Sequence, residues 1–282
     1  MDTAPHHTGP LILGSTGRLG RALRCLADGG HWPEGRAALW HGRRGDFAWD
    51  MRETPPPLPR PVRGVIVLAG VTGGTSEELA GNADLARAAL RLAARDRLGP
   101  VLLMSSAAVY GRATNACREE SASPAAAYGA AKLEMEHVIA REIAAIGPDA
   151  PAACCLRLAN VAGCDQLFGS MGTGPVTLDR FADGAAPRRA YVGPLTLARL
   201  LSVLIEAPAL PAILNLAQPG DVGMEEILSS AGARWQWRPA PENALPRTRL
   251  DTARLAAITG PVAPARAPAL VAEARLAGWN LA

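Results

Sequence analysis

Leu11-Ile12-Leu13-Gly14-Ser15-Thr16-Gly17-Arg18-Leu19-Gly20 is the stretch that decides how this chain is read. Apolar residues end on a glycine, two more glycines follow at three-residue spacing, and Leu19 to Leu26 carries helical apolar spacing. The pattern is a strand, a tight turn and the start of an amphipathic helix. An anion-binding turn needs this composition. Its backbone adopts φ values open to glycine, approaches phosphates with no side chain between, and packs helix close on strand. The helix N-terminus adds free amides and a favourable dipole. Gly14, Thr16, Gly17, Arg18, Leu19 and Gly20 are therefore candidate contacts for a dinucleotide.

Apolar runs at 10–13, 37–40, 62–69, 101–104, 152–158 and 213–216 read as strands. Residues 19–26, 82–95, 128–145 and 195–206 read as helices. This alternation predicts an α/β fold: a Rossmann-type doubly wound parallel sheet with a smaller C-terminal substrate lobe. The sheet domain is expected over 10–166 with 190–218, and the lobe over 167–189 with 219–282. Thr54 to Pro61 is an extended linker.

The 282 residues are 49% hydrophobic and 20% charged with a net charge of +3, ordinary soluble composition. No basic block interleaved with aromatics points to nucleic acid, and no apolar run is long enough to span a membrane. No signal-peptide pattern opens the chain, so the expected compartment is the cytoplasm. Five cysteines without repeating spacing give no disulfide framework, and Cys154 and Cys155 read as buried strand residues. No metal-ligand spacing is present, so no metal is expected.

The second strand should end at the adenosine ribose, where a carboxylate favours NAD and a cation favours NADP. Here it ends Trp40-His41-Gly42-Arg43-Arg44. The guanidiniums of Arg43 and Arg44 favour NADP, with NAD as the alternative. In mid-chain, Tyr128-Gly129-Ala130-Ala131-Lys132 places a phenol and an ammonium one helical turn apart. The cation can lower the phenol pKa toward neutrality. Ser105-Ser106 closes the preceding strand and offers a hydroxyl to orient a substrate oxygen. Ser106, Tyr128 and Lys132 are the candidate catalytic residues.

Taken together these motifs resemble an extended short-chain dehydrogenase/reductase of the NAD-dependent epimerase/dehydratase type. The resemblance includes Trp49-Asp50-Met51, Val67-Leu68-Ala69-Gly70, Asn82 at the opening of the next helix, Ser105 to Gly111 and Leu156 to Val161. It implies that Asp50 and Met51 flank the adenine. It also implies that Leu68, Ala69, Gly70, Asn82, Tyr128, Lys132 and Leu158 line the cofactor, that Asn160 faces the substrate, and that Arg189 meets a substrate phosphate. A homodimer through the Tyr128 helix is implied too. Residues 249–255 share a short similarity with deoxythymidine-diphosphate-dehydrorhamnose reductases. Two departures stand out. Ala107 and Ala108 occupy the positions of the Asp-Glu pair that dehydratases carry, and Val192-Gly193-Pro194 replaces an acidic pair.

Trp235 and Trp237, with Arg234 and Arg238, could stack on a base; a strand with one packed face is the preferred reading. His137 reads as structural. The expected activity is hydride transfer at a hydroxyl or keto carbon of a small molecule, possibly a nucleotide sugar, by an epimerase or a reductase. A non-catalytic NADP-binding sensor or scaffold is the alternative.

Overall fold

The computed structural model describes residues 9–33, 37–42, 45–113, 115–172 and 174–281. Six strands form one sheet: β1 (Leu11–Leu13), β2 (Leu39–Trp40), β3 (Val65–Val67), β4 (Val101–Ser106), β5 (Ala153–Leu158) and β6 (Ile213–Leu216), all parallel, in the order β2-β1-β3-β4-β5-β6. The side-chain period of two sends Leu11 and Leu13 to one face and Ile12 to the other. Leu11 and Leu13 join Leu90, Leu103 and Met135 beneath α2 (Ser76–Arg95) and α3 (Ala127–Ile146). Ile12 joins Leu23, Leu156, Leu201 and Leu214 beneath α1 (Arg18–Asp28) and α4 (Pro194–Leu204). Cys154 and Cys155 fall on opposite faces, both buried. The sheet is thus doubly wound, as expected.

The outer edge of β2 is taken by its own continuation. Phe47 bridges in parallel to His41; its N–H donates to the Trp40 carbonyl (3.2 Å) and its carbonyl accepts from Gly42 N (3.2 Å). The Trp40 amide donates to Asp46 Oδ2 (3.1 Å).

A separate apolar cluster holds the smaller lobe: Phe168, Leu178, Tyr191, Ile227, Leu228, Leu270 and Val271. Strands Val176–Arg180 and Trp235–Pro239 pair in parallel there, beside helices Met224–Ala231 and Ala267–Leu276. One segment assigned to the lobe from sequence lies elsewhere. Helix Ala253–Thr259 packs on the sheet, with Leu255 in the cluster of Leu214 and Leu216. Among the described residues no helix is long and apolar enough to cross a membrane, and no cluster of His, Cys, Asp or Glu has metal-site geometry.

One local expectation is corrected. Helix α2 opens at Ser76, not at Asn82. Thr75 accepts from Glu78 N (3.2 Å), and Glu78 accepts from Thr75 N (2.7 Å), a capping box upstream of the alanine-rich run. Helix α4 is capped from a distance. Glu273, on the last helix, accepts from Thr196 N (2.8 Å) and Thr196 Oγ1 (2.7 Å), capping α4 in trans. A Cβ on Gly193, the N-cap residue, would overlap the Glu273 carboxylate. Glu273→Ala should therefore cost about 1 kcal/mol or more in urea unfolding. Gly193→Asp should destabilise the parent chain but restore stability in the Glu273→Ala background, giving a double-mutant coupling of opposite sign to either single change.

Candidate active site

Each glycine of the loop has its own physical reason. Gly14 has φ +96°, and a Cβ there would overlap Ala69 backbone; one on Gly20 would overlap Gly14 and Ser15 backbone. These two set the close packing of β1, α1 and the end of β3. Gly17 differs. It is exposed at the N-cap of α1, its φ of −69° suits any residue, and a Cβ would meet nothing nearer than Gly14 O at 3.6 Å. No side chain caps α1. Nothing in the protein's own packing demands glycine at 17, while an anion approaching the uncapped amides of α1 does. The residues present therefore fit a dinucleotide pyrophosphate. Thr16 and Arg18 are exposed beside this cradle, and Leu19 turns into the core.

His41, the first residue after β2, was not picked out from sequence as a site residue. It braces the loop: Nδ1 accepts from Gly14 N (3.3 Å), Nε2 donates to Trp49 O (2.7 Å), and its carbonyl accepts from Ser15 Oγ (2.6 Å). These partners assign the neutral Nε2–H tautomer. Phe47 and Trp49 pack around its ring, with centroids 6.3 Å and 6.0 Å away. Met51 is buried among the apolar side chains under α2, and Asp50 is exposed, its Oδ1 accepting from Arg52 N (3.0 Å). Arg43 and Arg44, the basis of the NADP expectation, lie outside the described residues.

Beyond β3 the chain runs beside the same cradle, with Leu68 N and Ala69 N both donating to Leu13 O. Asn82 is buried inside α2 and holds this segment: Oδ1 accepts from Val71 N (3.1 Å), and Nδ2 donates to Val71 O (2.9 Å) and Leu79 O (2.8 Å). A Cβ on Gly70 would stand 3.3 Å from Lys132 Nζ, so Gly70 opens the space between cradle and ammonium.

The structure brings Ser106, Tyr128 and Lys132 together. Ser106 ends β4 and accepts from Ala108 N (3.2 Å), capping the short 3₁₀ turn Ala107–Tyr110. Its hydroxyl is hydrogen-bonded to the Tyr128 phenol. Lys132 is 4% exposed and donates to Met104 O (2.8 Å). Burial, partly opposed by Cys155 and Glu136, lowers its pKa to about 8. The expected lowering of Tyr128 is not the net effect in the protein alone: burial raises the phenol, and the Ser106 hydrogen bond pulls it back only in part.

Behind the trio lies a buried polar network that sequence reading missed. Glu136, one turn beyond Lys132, accepts from Arg157 Nε (3.0 Å), Arg157 Nη2 (2.7 Å) and Ser105 Oγ (2.5 Å). Arg157 Nη1 donates to Tyr110 OH (3.1 Å) and Glu119 O (2.7 Å), and Tyr110 OH donates to Asn215 Oδ1 (2.6 Å). Four-residue spacing from Lys132 was the available signal for Glu136.

Register places Asn160 and Arg189. Ser106 pairs with Leu158 across β4 and β5, so Asn160 stands just beyond Leu158 at the C-terminal rim of the neighbouring strand. Asn160 pairs in turn with Tyr191, two residues after Arg189. Arg188 is held by Asp221 (2.5 Å) and Glu226 (2.7 Å). Arg189 donates only to the carbonyls of Arg188 (2.9 Å) and Pro246 (3.4 Å), and among the described residues no carboxylate reaches ion-pair distance. Burial pushes its pKa below the ordinary guanidinium value. Trp235 and Trp237 share the strand face of buried Val176 and Leu178, which is the packed-face reading; Trp237 overhangs that face and carries Arg180 at 5.6 Å. His137 is exposed on α3 beside Glu134.

Residues 60–196 match the NAD dependent epimerase/dehydratase family. The match covers a little under half of the chain. It contains Ser106, Tyr128, Lys132, Asn160 and Arg189. No curated protein matches the chain. Among solved structures, DesIV, a dTDP-glucose 4,6-dehydratase from Streptomyces venezuelae with NAD and TYD bound, is 18% identical, with TM-score 0.74 over 97% of this chain and 99% of that one. The UDP-glucuronic acid 4-epimerase of Bacillus cereus, with NAD and a fluorinated UDP-sugar, is 16% identical, with TM-score 0.73 over 96% and 99%. MoeE5 with UDP-glucuronic acid and NAD is 20% identical, with TM-score 0.73 over 95% and 98%. At these identities the likeness establishes the Rossmann fold.

Two outcomes test the site. Gly17→Val should leave the thermal midpoint within a few degrees while lowering NADH and NADPH affinity at least tenfold in fluorescence titration. Unchanged affinity removes the pyrophosphate from this loop. Lys132 tests the energetics. A pKa lowered from 10.5 to about 8 corresponds to roughly 3 kcal/mol against the charged buried form, opposed by roughly 1 for the Met104 hydrogen bond. Lys132→Met should therefore be more stable than the parent at pH 7, by about 2 kcal/mol. Between pH 8 and 10 the unfolded lysine holds its proton more tightly than the folded one. The parent's stability should rise with pH across that window and the variant's should not.

Proposed function

We propose that this protein is an NAD(P)-dependent epimerase or keto-reductase acting at a hydroxyl or keto carbon of a nucleotide sugar. The observation that carries the reading is the Ser106–Tyr128 hydrogen bond, with Lys132 one turn along, beside the dinucleotide cradle. The bound dinucleotide supplies the hydride chemistry. Tyr128 exchanges a proton with the substrate oxygen, Ser106 orients that oxygen, and Lys132 places a positive charge beside the developing phenolate. Ala107 and Ala108 offer no second acid or base, so elimination of water is not supported. Arg189, half-buried and without a carboxylate at ion-pair distance among the described residues, gives an anionic diphosphate a place away from the reacting carbon.

NADP is the proposed cofactor. His41 stands where a ribose-binding acid is expected, and both its ring nitrogens are already engaged, while Arg43 and Arg44 follow. A charge-assisted contact to the 2′-phosphate should favour NADP by roughly tenfold, and tighter binding of NAD by calorimetry contradicts that choice. The enzyme is proposed to work in the cytoplasm.

The decisive experiment is turnover of UDP- and dTDP-hexoses and their 4-keto forms, followed by cofactor fluorescence. Tyr128→Phe should slow the reaction by roughly 10²–10⁴-fold and leave cofactor affinity largely intact. Near-parental turnover in this variant ends the assignment of Tyr128 as acid/base.

A further inference from the structure

Asn215, on β6, is fully buried, and both ends of its amide are engaged. It stands beside Arg157 by register, as Arg157 stands beside Ser105, so the three form one polar row across β4, β5 and β6. Arg157 Nη1 donates to Tyr110 OH (3.1 Å), and Tyr110 OH donates to Asn215 Oδ1 (2.6 Å). A guanidinium only donates, so the single phenolic proton is directed at the amide oxygen. The Nδ2 hydrogens then fall on two backbone carbonyls, Cys117 O (2.9 Å) and Asp251 O (3.0 Å).

These carbonyls lie where Arg249–Leu250 pairs with Ala116–Cys117, and Asp251 N also donates to Cys117 O (2.9 Å). Residues 246–251 are thus a strap with its C-terminal end pinned to the sheet. Its other end pairs with Arg188. Arg188 N donates to Pro246 O (2.8 Å), and Thr248 N donates to Arg188 O (3.0 Å). Arg189 Nη1 rests on the same two carbonyls, Arg188 O (2.9 Å) and Pro246 O (3.4 Å). One nitrogen of the guanidinium is therefore tied to the strap, and among the described residues Nε and Nη2 have no hydrogen-bond partner. That edge carries the parallel N–H groups that grip an oxyanion with two bonds.

We propose that Asn215 is a positioning residue for anion recognition: by pinning strap 246–251 to the sheet, it aims the Nε–Nη2 edge of Arg189 at the diphosphate of the substrate. The proposal rests on the nucleotide-sugar reading and adds the element that sets the anion-binding arm. The polar row that seats Glu136 of α3 then also carries the strap, which ties the place of the diphosphate to the place of proton transfer.

The test is a double-mutant cycle on UDP affinity, by calorimetry on the NADPH-loaded protein. Arg189→Ala removes the edge and should weaken UDP by roughly tenfold. Asn215→Ala removes the pin and should weaken it by roughly fivefold. The pair should bind UDP no worse than Arg189→Ala alone, because the pin has nothing left to aim, with NADPH affinity within about twofold of the parent throughout. Thr248→Pro deletes one rung of the strap at a half-buried position, without opening the core. It should weaken UDP as Asn215→Ala does, and it decides alone where Asn215→Ala does not fold. Parental UDP affinity in Thr248→Pro overturns the pin. So do losses that multiply in the pair, an equal loss of UDP and NADPH, or loss of fold in both Asn215→Ala and Thr248→Pro, since each marks a purely structural network. Parental affinity in Arg189→Ala overturns the aim. A parent that does not bind UDP brings down the nucleotide-sugar reading and the pin with it.

Discussion

The rest of the site depends on one buried ion pair. Arg157 and Glu136 are 2% and 4% exposed and meet through two hydrogen bonds. Desolvating two charges costs several kcal/mol per ion, and such a pair can often be replaced by apolar groups without loss of stability. Its value here is geometric. Arg157 is on β5, Glu136 on α3, and the third partner Ser105 is the residue before Ser106 on β4. Tyr128, Lys132 and Glu136 form one stripe of α3 at four-residue intervals. Clamping the last of the three to the sheet holds the first two against the end of β4. The same guanidinium reaches Tyr110 and so fixes the 3₁₀ turn that Ser106 caps.

The glycine loop is built differently. There the constraint is the absence of side chains: backbone meets backbone at Gly14, Gly20 and Ala69, and the loop is steadied by one neutral imidazole. One side of the cleft is thus set by steric contact and the other by a hydrogen-bonded network. They meet at Lys132, which lies between the open position of Gly70 and the charge of Glu136. A lysine so deeply desolvated is a stability cost kept at the point where the proposed chemistry needs a cation.

Local chemistry made much of this legible in advance. Every sheet strand was visible, because runs such as Val101 to Met104 are apolar on both sides, as a doubly covered parallel sheet demands. The trio was readable because a helical turn brings positions 128 and 132 together. What escaped was tertiary. The start of α2 was misplaced because its signal is a capping box, Thr75 with Glu78, upstream of the alanine-rich run. Helix 253–259 was given to the lobe because nothing in its spacing says which apolar surface it covers. The pairings of His41 with Gly14, Asp165 with Tyr191, and Glu273 with Thr196 join residues far apart in the chain. Nothing in the Gly193-Pro194 sequence says that a carboxylate from the last helix caps α4.

The rim of the sheet at β2 has a consequence of its own. A parallel sheet must end somewhere, and an open edge offers unpaired amides and carbonyls to any passing strand. Here the outward groups of Trp40 are already spent, the amide on Asp46 and the carbonyl on Phe47, and Gly42 is bonded back to Phe47. The chain folds a single bridging residue over its own border and leaves no template for a second copy to extend. Colloidal behaviour is thereby guarded where the sheet is shortest, by a loop whose other duty is to hold His41 and Trp49 beside the glycine loop.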